Sequence, residues 1–100
     1  MGNISTLAVP AASPVPIVAT RWGNAVVVQE SPAVADWPTT DLLFYKNSSS
    51  STPIRVVSGN TYQFTNRGGG AGLGFAPGDT VGWVQAVAAD TTVVIDETEL

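Results

Sequence analysis

The stretch FAPGDTVGWVQAVAADTTVVIDE, residues 75–97, carries the clearest structural signal in this 100-residue chain. It contains two runs, TVGWVQAV and TTVVIDE, whose Val, Thr, Ile and Trp residues favour a pleated, half-buried strand. The turn APGD introduces the first run, because Pro presets φ and Gly tolerates positive φ. The short polar break AAD separates the two runs. The sequence therefore predicts a β-hairpin at the centre of an all-β domain.

The two faces of the first run differ in the size of their side chains. One face carries Val81, Trp83, Gln85 and Val87, and the other carries Gly82, Val84, Ala86 and Ala88. A face of small residues lets another sheet, an arm or a subunit approach closely. We expect Trp83 to anchor the core beside Phe64 and Phe75.

Further short apolar runs occupy the rest of the chain. They are AVVVQE, DLLFYK, PIRVV and TYQFT, at residues 25–30, 41–46, 53–57 and 61–65. Gly59-Asn60 between the last two runs predicts a second hairpin. The run DLLFYK is apolar on both faces, so it is either central in a layered structure or covered by a partner. Residues 66–74, NRGGGAGLG, hold five glycines and predict a loop.

About seven or eight short strands with regular turn signals indicate a single antiparallel β-sandwich or jelly roll without significant helix. Its expected core anchors are Phe44, Tyr62, Phe64, Phe75, Trp83, Val93 and Ile95.

The N-terminal residues 1–20 differ from the rest because they carry three prolines, Pro10, Pro14 and Pro16, in a stretch of low charge. Proline forbids a helix and favours extended geometry. The apolar pieces ISTLAV and PIVAT are each able to pair at a sheet edge. We therefore interpret residues 1–20 as an extended arm that reaches a neighbouring subunit, or as edge strands with a frayed terminus. Residues 21–100 form the β-sandwich domain.

The composition narrows the classes of partner. Charged residues make up 12% of the chain and hydrophobic residues 44%, so apolar surface remains for an interface, unless Ser, Thr, Asn and Gly cover it. A net charge of −4 with only four cations argues against direct nucleic-acid binding. No apolar run approaches the roughly 18 residues of a membrane span, and the N-terminus lacks the features of a signal peptide. The absence of Cys leaves the redox compartment open.

Motifs for chemistry are scarce in this sequence. The chain has no His and no Cys, which removes the commonest general base and the commonest metal ligands. No spacing enforces a carboxylate pair from Asp36 and Asp41 of the kind that glycosidases need. The glycine run lacks the Gly-Lys-Ser/Thr ending of a phosphate-binding loop, and the acidic C-terminus lacks calcium-loop spacing. We expect no enzymatic activity, no cofactor and no metal site.

Residues 52–97 contain TPIRVVSGNTYQF, then a glycine-rich loop, then FAPGDTVGWVQAV and TTVVIDE. As a whole, this stretch resembles the small capsid decoration (cement) proteins of tailed bacteriophages. The resemblance implies a compact β-sandwich or jelly roll on the outer capsid surface of the virion. It implies binding to the major capsid protein, stabilisation of contacts between its subunits, and a homo-oligomer, a dimer or a trimer. The candidate protein contacts are Ile4, Leu7, Val9, Pro10, Pro14, Pro16, Trp37, Arg67 and Leu73.

The alternative is a small carbohydrate-binding or receptor-binding β-sandwich, for example a module of a phage fibre. Five aromatic side chains are available for a sugar platform: Trp22, Trp37, Tyr45, Tyr62 and Trp83. Glycan binding predicts exposed tryptophans with polar neighbours on a concave face. Decoration predicts that the three tryptophans are buried or lie at subunit contacts.

Overall fold

The structure is a computed structural model that describes residues 3–23, 25–35, 37–65 and 74–97. These residues form eight strands: β1 (Asn3–Val9), β2 (Val15–Val18), β3 (Ala25–Glu30), β4 (Leu42–Tyr45), β5 (Ile54–Val56), β6 (Thr61–Thr65), β7 (Thr80–Ala86) and β8 (Thr91–Glu97). The strands make two four-stranded antiparallel sheets, in the orders β1-β8-β3-β6 and β2-β7-β4-β5. The predicted all-β class is confirmed.

The strand pairing follows one rule along the chain. The first four strands pair with the last four in reverse order, β1 with β8, β2 with β7, β3 with β6 and β4 with β5. The described chain is thus one long antiparallel hairpin that is folded over into two facing sheets. This is the arrangement of a jelly roll, a β-sandwich in which paired strands wrap around a common core.

Both predicted hairpins are wrong in their pairing. β7 and β8 lie in different sheets, and so do β5 and β6. The connections at residues 57–60 and 87–90 cross from one sheet to the other. A turn signal shows only that the chain reverses. A strand that is apolar on one face buries that face equally well beside its predecessor or opposite it.

The core lies between the inward faces of the two sheets. Val28 of β3 is opposite Ile95 on one side and Tyr62 on the other, so these side chains point inward together. Tyr62 stacks on Phe44 with ring centroids 4.7 Å apart, which joins the two sheets. Of the expected core anchors, Tyr62 is partly buried against the core, and those buried within it are Phe44, Phe64, Phe75, Val93 and Ile95.

The small-residue face of β7 is the inward face. A Cβ atom on Gly82 would lie 2.7 Å from the backbone oxygen of Tyr45 and would overlap the ring of Phe64. The absence of a side chain therefore makes room for the aromatic ring of the opposite sheet. Trp83 consequently lies on the outer face, partly exposed, where it pairs with Pro16 and Tyr45. The expectation that Trp83 anchors the core is corrected by this placement.

The N-terminal strands occupy equivalent positions in the two sheets. β1 and β2 are each the outermost strand on the same side of the sandwich. β1 pairs with β8 along its whole length, and β2 pairs with β7 with a register shift between Ile17 and Val18. Val9 and Ile17 are each 1% exposed and belong to the core. Residues 3–18 therefore contribute to both sheets.

Candidate functional site

Four connections meet at one end of the sandwich, and we call them together the loop platform. They are residues 10–14, 31–41, 57–60 and 87–90. They meet because the odd-numbered strands end, and the even-numbered strands begin, at this end: Val9 is opposite Thr91, and Leu42 is opposite both Ala86 and Val56. Loops at the end of a rigid sandwich are a frequent place for binding residues.

A buried glutamate braces the longest loop of the platform. Glu30 is 0% exposed at the end of β3. Its Oε1 accepts a hydrogen bond from the backbone N–H of Thr39 at 2.8 Å, and its Oε2 accepts one from the hydroxyl of Thr91 at 2.5 Å. Its backbone oxygen accepts the indole N–H of Trp37 at 3.2 Å. A buried carboxyl group is tolerated only with such partners, so Glu30 ties residues 37–39 to the start of β8.

Thr40 joins the same loop to the connection between β7 and β8. Its buried hydroxyl oxygen accepts the backbone N–H groups of Val87 at 3.2 Å and Ala88 at 2.8 Å. The hydroxyl donates in turn to the backbone oxygen of Asp41 at 3.0 Å. That backbone oxygen also accepts the N–H of Val87 at 3.1 Å. The turn at residues 87–90 is therefore held by backbone and side-chain bonds to residues 40 and 41.

Asp41 joins the third loop. Its Oδ1 accepts the backbone N–H of Ser58 at 2.8 Å, and its Oδ2 accepts Arg55 Nε and Nη2, each at 2.9 Å. The Ser58 N–H bond, followed by the Arg55 contacts, lowers the pKa of the Asp41 carboxyl from its ordinary value. Gln29 adds a bond from its side-chain amide to the backbone oxygen of Gly59 at 2.9 Å. The turn has Gly59 at a φ of 86°, a conformation that favours glycine.

The proline-flanked loop at residues 10–14 is attached by three bonds. The N–H of Ala11 donates to Asp90 Oδ1 at 2.9 Å, and the N–H of Ala86 donates to the backbone oxygen of Pro10 at 3.2 Å. Gln85 donates its side-chain amide to the backbone oxygen of Ala11 at 2.9 Å and accepts the hydroxyl of Tyr45 at 2.9 Å. All four loops of the platform are therefore connected to one another or to the strands beneath them.

The platform presents apolar and small side chains to solvent. Trp37 is 40% exposed, Val57 63% and Val87 36%. The β-carbon position of Gly59 lies 3.5 Å from Pro38 and 3.7 Å from the Trp37 ring, so two of the loops are in contact at their tips. The other exposed residues among the described part of the platform are seven small or apolar ones, Ala12, Pro32, Ala33, Ala35, Pro38, Ala88 and Ala89, and three polar ones, Ser13, Asn60 and Asp90.

Charges contribute little to this surface. The described residues of the platform hold two carboxylates, the partly buried Asp41 and the exposed Asp90, which accept the hydrogen bonds given above, and Glu30 at the end of β3 beneath it is buried. An exposed tryptophan beside two exposed valines, with few charges, matches the central part of a protein interface in its aromatic residue and its low charge, whereas the exposed alanines do not add to that match.

The predicted contact residues are distributed over several parts of the molecule. Trp37 lies on the platform together with Pro10 and Pro14, which are partly buried. Ile4 is exposed on β1, Pro16 is exposed on the outer face of β2, and Leu7 is partly buried. Val9 is a core residue, so its prediction as a contact residue is corrected. Arg67 and Leu73 lie outside the described residues.

Sequence reasoning missed Glu30 beneath the platform and the platform residues Thr40, Val57 and Val87. One signal for Glu30 was present, since it shares a strand face with Val26 and Val28. A carboxylate on a face of valines indicates a buried polar group with dedicated partners. The roles of Thr40 and Val87 depend on contacts between segments that are distant in the chain, and no local sequence pattern indicates these roles.

The opposite end of the sandwich contains a different feature, a groove of about 330 Å³. It is lined by Lys46, Asn47, Gln63, Phe64, Thr65, Phe75, Thr80 and Val81. Its two phenylalanines are buried and present little ring surface to a ligand. Trp22, 52% exposed, lies in the connection between β2 and β3 at the same end.

The part of the chain that the structure describes has no group of three or more His, Cys, Asp or Glu residues placed to hold a metal ion. Nor does it contain a helix long and apolar enough to span a membrane. Comparison of the chain with protein-family models, with curated proteins and with solved structures finds no match in any of the three.

Proposed function

We propose that this protein is a structural protein of a phage virion, a capsid decoration protein that binds the outer capsid surface through its loop platform. Its partner is the major capsid protein, and binding stabilises the contacts between capsid subunits. The observation that carries this proposal is the platform itself, whose described residues expose mainly apolar and small side chains and which is braced by hydrogen bonds from buried side chains. The resemblance of residues 52–97 to decoration proteins supplies the class of partner.

The bracing matters because binding has an entropic cost. Each side chain or loop that must be ordered on association costs about 0.5–1.5 kcal/mol. The Trp37 side chain and backbone are already held by hydrogen bonds to Glu30 and Val34, of 3.2 and 3.1 Å. The free platform therefore already has the conformation in which it binds a partner. Such preorganisation suits a small protein that must bind many equivalent positions on a shell.

Trp37 is the anchor that the proposal requires. An exposed, rigidly held tryptophan surrounded by small apolar residues has the properties of an interface hot spot, for which truncation to alanine costs about 2 kcal/mol or more. We therefore expect Trp37→Ala to weaken binding to capsid shells by at least about thirtyfold, the equivalent of that free energy. The matched control is Trp22→Ala, which removes an equally large exposed side chain at the other end of the sandwich.

The experiment is a co-sedimentation assay with shells of the source phage that lack this protein. Wild type and Trp22→Ala are expected to sediment with the shells to the same extent, whereas Trp37→Ala stays in the supernatant. Unchanged thermal unfolding of both variants excludes a general loss of structure. The proposal fails if wild-type protein does not bind the shells, or if the two tryptophan variants lose binding equally.

A carbohydrate- or receptor-binding module of a phage fibre is the second candidate. It is favoured by one observation: the Trp22 and Trp37 rings are exposed, as glycan binding predicts, and Trp22 lies at the end of the sandwich where the decoration proposal places no contact. A glycan array separates the candidates, since glycan binding that Trp37→Ala abolishes, together with no binding to shells, supports the fibre module. Binding to shells without glycan binding supports decoration.

A further inference from the structure

Strand β1 has an open edge among the residues that the structure describes. It is the outermost strand of its sheet and pairs with β8 on one side. Within the described residues, no strand pairs with its other side. Alternate N–H and C=O groups of residues 3–9 therefore point away from the sheet, and such a row is a template for another strand.

The two edges of the other sheet are short or blunted. β2 has four residues, contains Pro16 and shifts register after Ile17. β5 has only three residues, including Arg55. Prolines, charges, irregularities and short length are the devices by which proteins protect sheet edges from pairing. β1 has none of them, since its seven residues, NISTLAV, contain neither a proline nor a charge.

β6 is the only other unblunted edge among the described strands, and it differs from β1 in two ways. It has five residues rather than seven. Its outward-facing residues are Thr61, Gln63 and Thr65, which are polar. β1 instead carries Ile4, which is 70% exposed, the highest value among the exposed large hydrophobic residues. The longer and more apolar edge is the better candidate for pairing.

We propose that β1 pairs with the β1 strand of a second copy of this chain, antiparallel and about a two-fold axis at Thr6. The two four-stranded sheets then form one continuous eight-stranded sheet across the dimer. The register follows from length, because only an axis at the central residue lets all seven residues of both strands overlap. This arrangement maximises the number of backbone hydrogen bonds.

The side chains of β1 are compatible with a copy of themselves. Ile4 faces the small side chain of the partner's Ala8, Ser5 faces the partner's Leu7, and Thr6 faces the partner's Thr6. A closed two-fold contact brings identical surfaces together, so any charge near the axis would meet its like. β1 contains no charged residue that would repel the same residue of the second copy. Pairing also covers Ile4 and the partly exposed Leu7.

This inference does not rest on the proposed capsid role, because the dimer forms from the chain alone. It identifies the surface that would produce the expected homo-oligomer. The interface and the loop platform are separate, since the platform lies at the end of the sandwich and β1 lies along its side. The failure of one proposal therefore leaves the other unaffected.

Disulfide cross-linking tests the register directly. The chain has no cysteine, so a single introduced one reports one contact. Thr6→Cys is expected to give a disulfide-linked dimer under mild oxidation, because directly opposed residues have Cβ atoms about 4.5–5.5 Å apart. In Ile4→Cys the two cysteines are offset by roughly 13 Å along the strands and stay reduced, since each residue rises about 3.3 Å. Equal cross-linking of the two variants overturns the register.

Charge substitution tests the edge itself, with sedimentation velocity as the readout. Thr6→Lys places two like charges together at the axis and is expected to weaken dimerisation by at least about tenfold. Mixing Thr6→Lys with Thr6→Glu should restore a mixed dimer, which a mere loss of folding cannot do. Gln63→Lys, at the centre of β6, is the control and should leave the dimer intact. A monomeric wild type, or a dimer lost only with Gln63→Lys, overturns the proposal.

Discussion

At the scale of single residues, buried polar side chains determine the shape of the loop platform. Glu30 and Thr40 each accept two hydrogen bonds with their side-chain oxygens, and together they link residues 31–41 to residues 87–91. No buried side-chain N or O atom among the described residues lacks a partner. The surface positions of Trp37 and Val87 therefore depend on buried residues that make no contact with a partner.

The first prediction concerns Glu30. Glu30→Ala leaves the N–H of Thr39 and the hydroxyl of Thr91 without their acceptor, and it opens a cavity. We expect a loss of about 2–4 kcal/mol in the free energy of unfolding, measured by urea denaturation. Glu30→Gln keeps one acceptor oxygen, so its free energy of unfolding should fall by a smaller amount. Asp96→Ala, on the exposed face of β8, is the control and should stay within about 0.5 kcal/mol. Wild-type stability in Glu30→Ala would contradict the bracing role.

The second prediction concerns pH and Asp41. The bonds from Ser58 and Arg55 lower its pKa in the folded protein. A carboxyl group with a depressed pKa stabilises the fold above its unfolded pKa of about 3.9, and this contribution disappears as the pH falls through the folded pKa. The stability difference between wild type and Asp41→Asn should therefore be constant near neutrality and shrink in acid below about pH 4. Thermal unfolding of both proteins from pH 7 to pH 2.5 measures it. A difference that grows in acid would contradict the assignment.

At the scale of elements, the positions of the strands along the chain are predictable from the sequence, whereas the pairing of the strands is not. AVVVQE, TYQFT and TTVVIDE coincide with β3, β6 and β8, because β-branched and aromatic residues in alternation specify a strand locally. The partner of each strand depends on the whole topology. Both Gly59-Asn60 and the AAD break were interpreted as hairpin turns, yet each leads the chain across to the opposite sheet. The same limit applies to the site, since Trp37, Pro10 and Pro14 were predicted singly and their common surface was not.

The third prediction concerns residues 1–20, which the sequence left open between an arm and edge strands. Deleting them removes Val9 and Ile17 from the core and exposes the edges of β7 and β8. Each lost large aliphatic residue costs about 2–5 kcal/mol, so the two together approach the usual total stability of a domain. We expect the truncated protein to be unfolded by circular dichroism. A control without residues 1 and 2 should fold normally. A folded truncated protein would show that the segment is an accessory arm.

At the scale of the whole molecule, the jelly-roll topology separates three surfaces. It collects four loops at one end, the groove with Lys46 at the other, and the open edge of β1 along one side. In a chain with 12% charged residues, the low charge of the platform and of β1 is part of a general property. Few charges and a rigid frame suit a protein that occupies fixed positions in a large assembly. We propose that the platform binds the shell and that β1 binds a second copy.

Electron cryo-microscopy of the source phage particle tests the central claim most directly. We expect density for the two-sheet sandwich on the outer face of the capsid, at the junctions between major capsid subunits. Within that density, residues 31–41, 57–60 and 87–90 should face the shell, with the indole of Trp37 in contact with a capsid subunit. A shell surface without this density, or a sandwich bound through the opposite end with Trp37 in solvent, would contradict it.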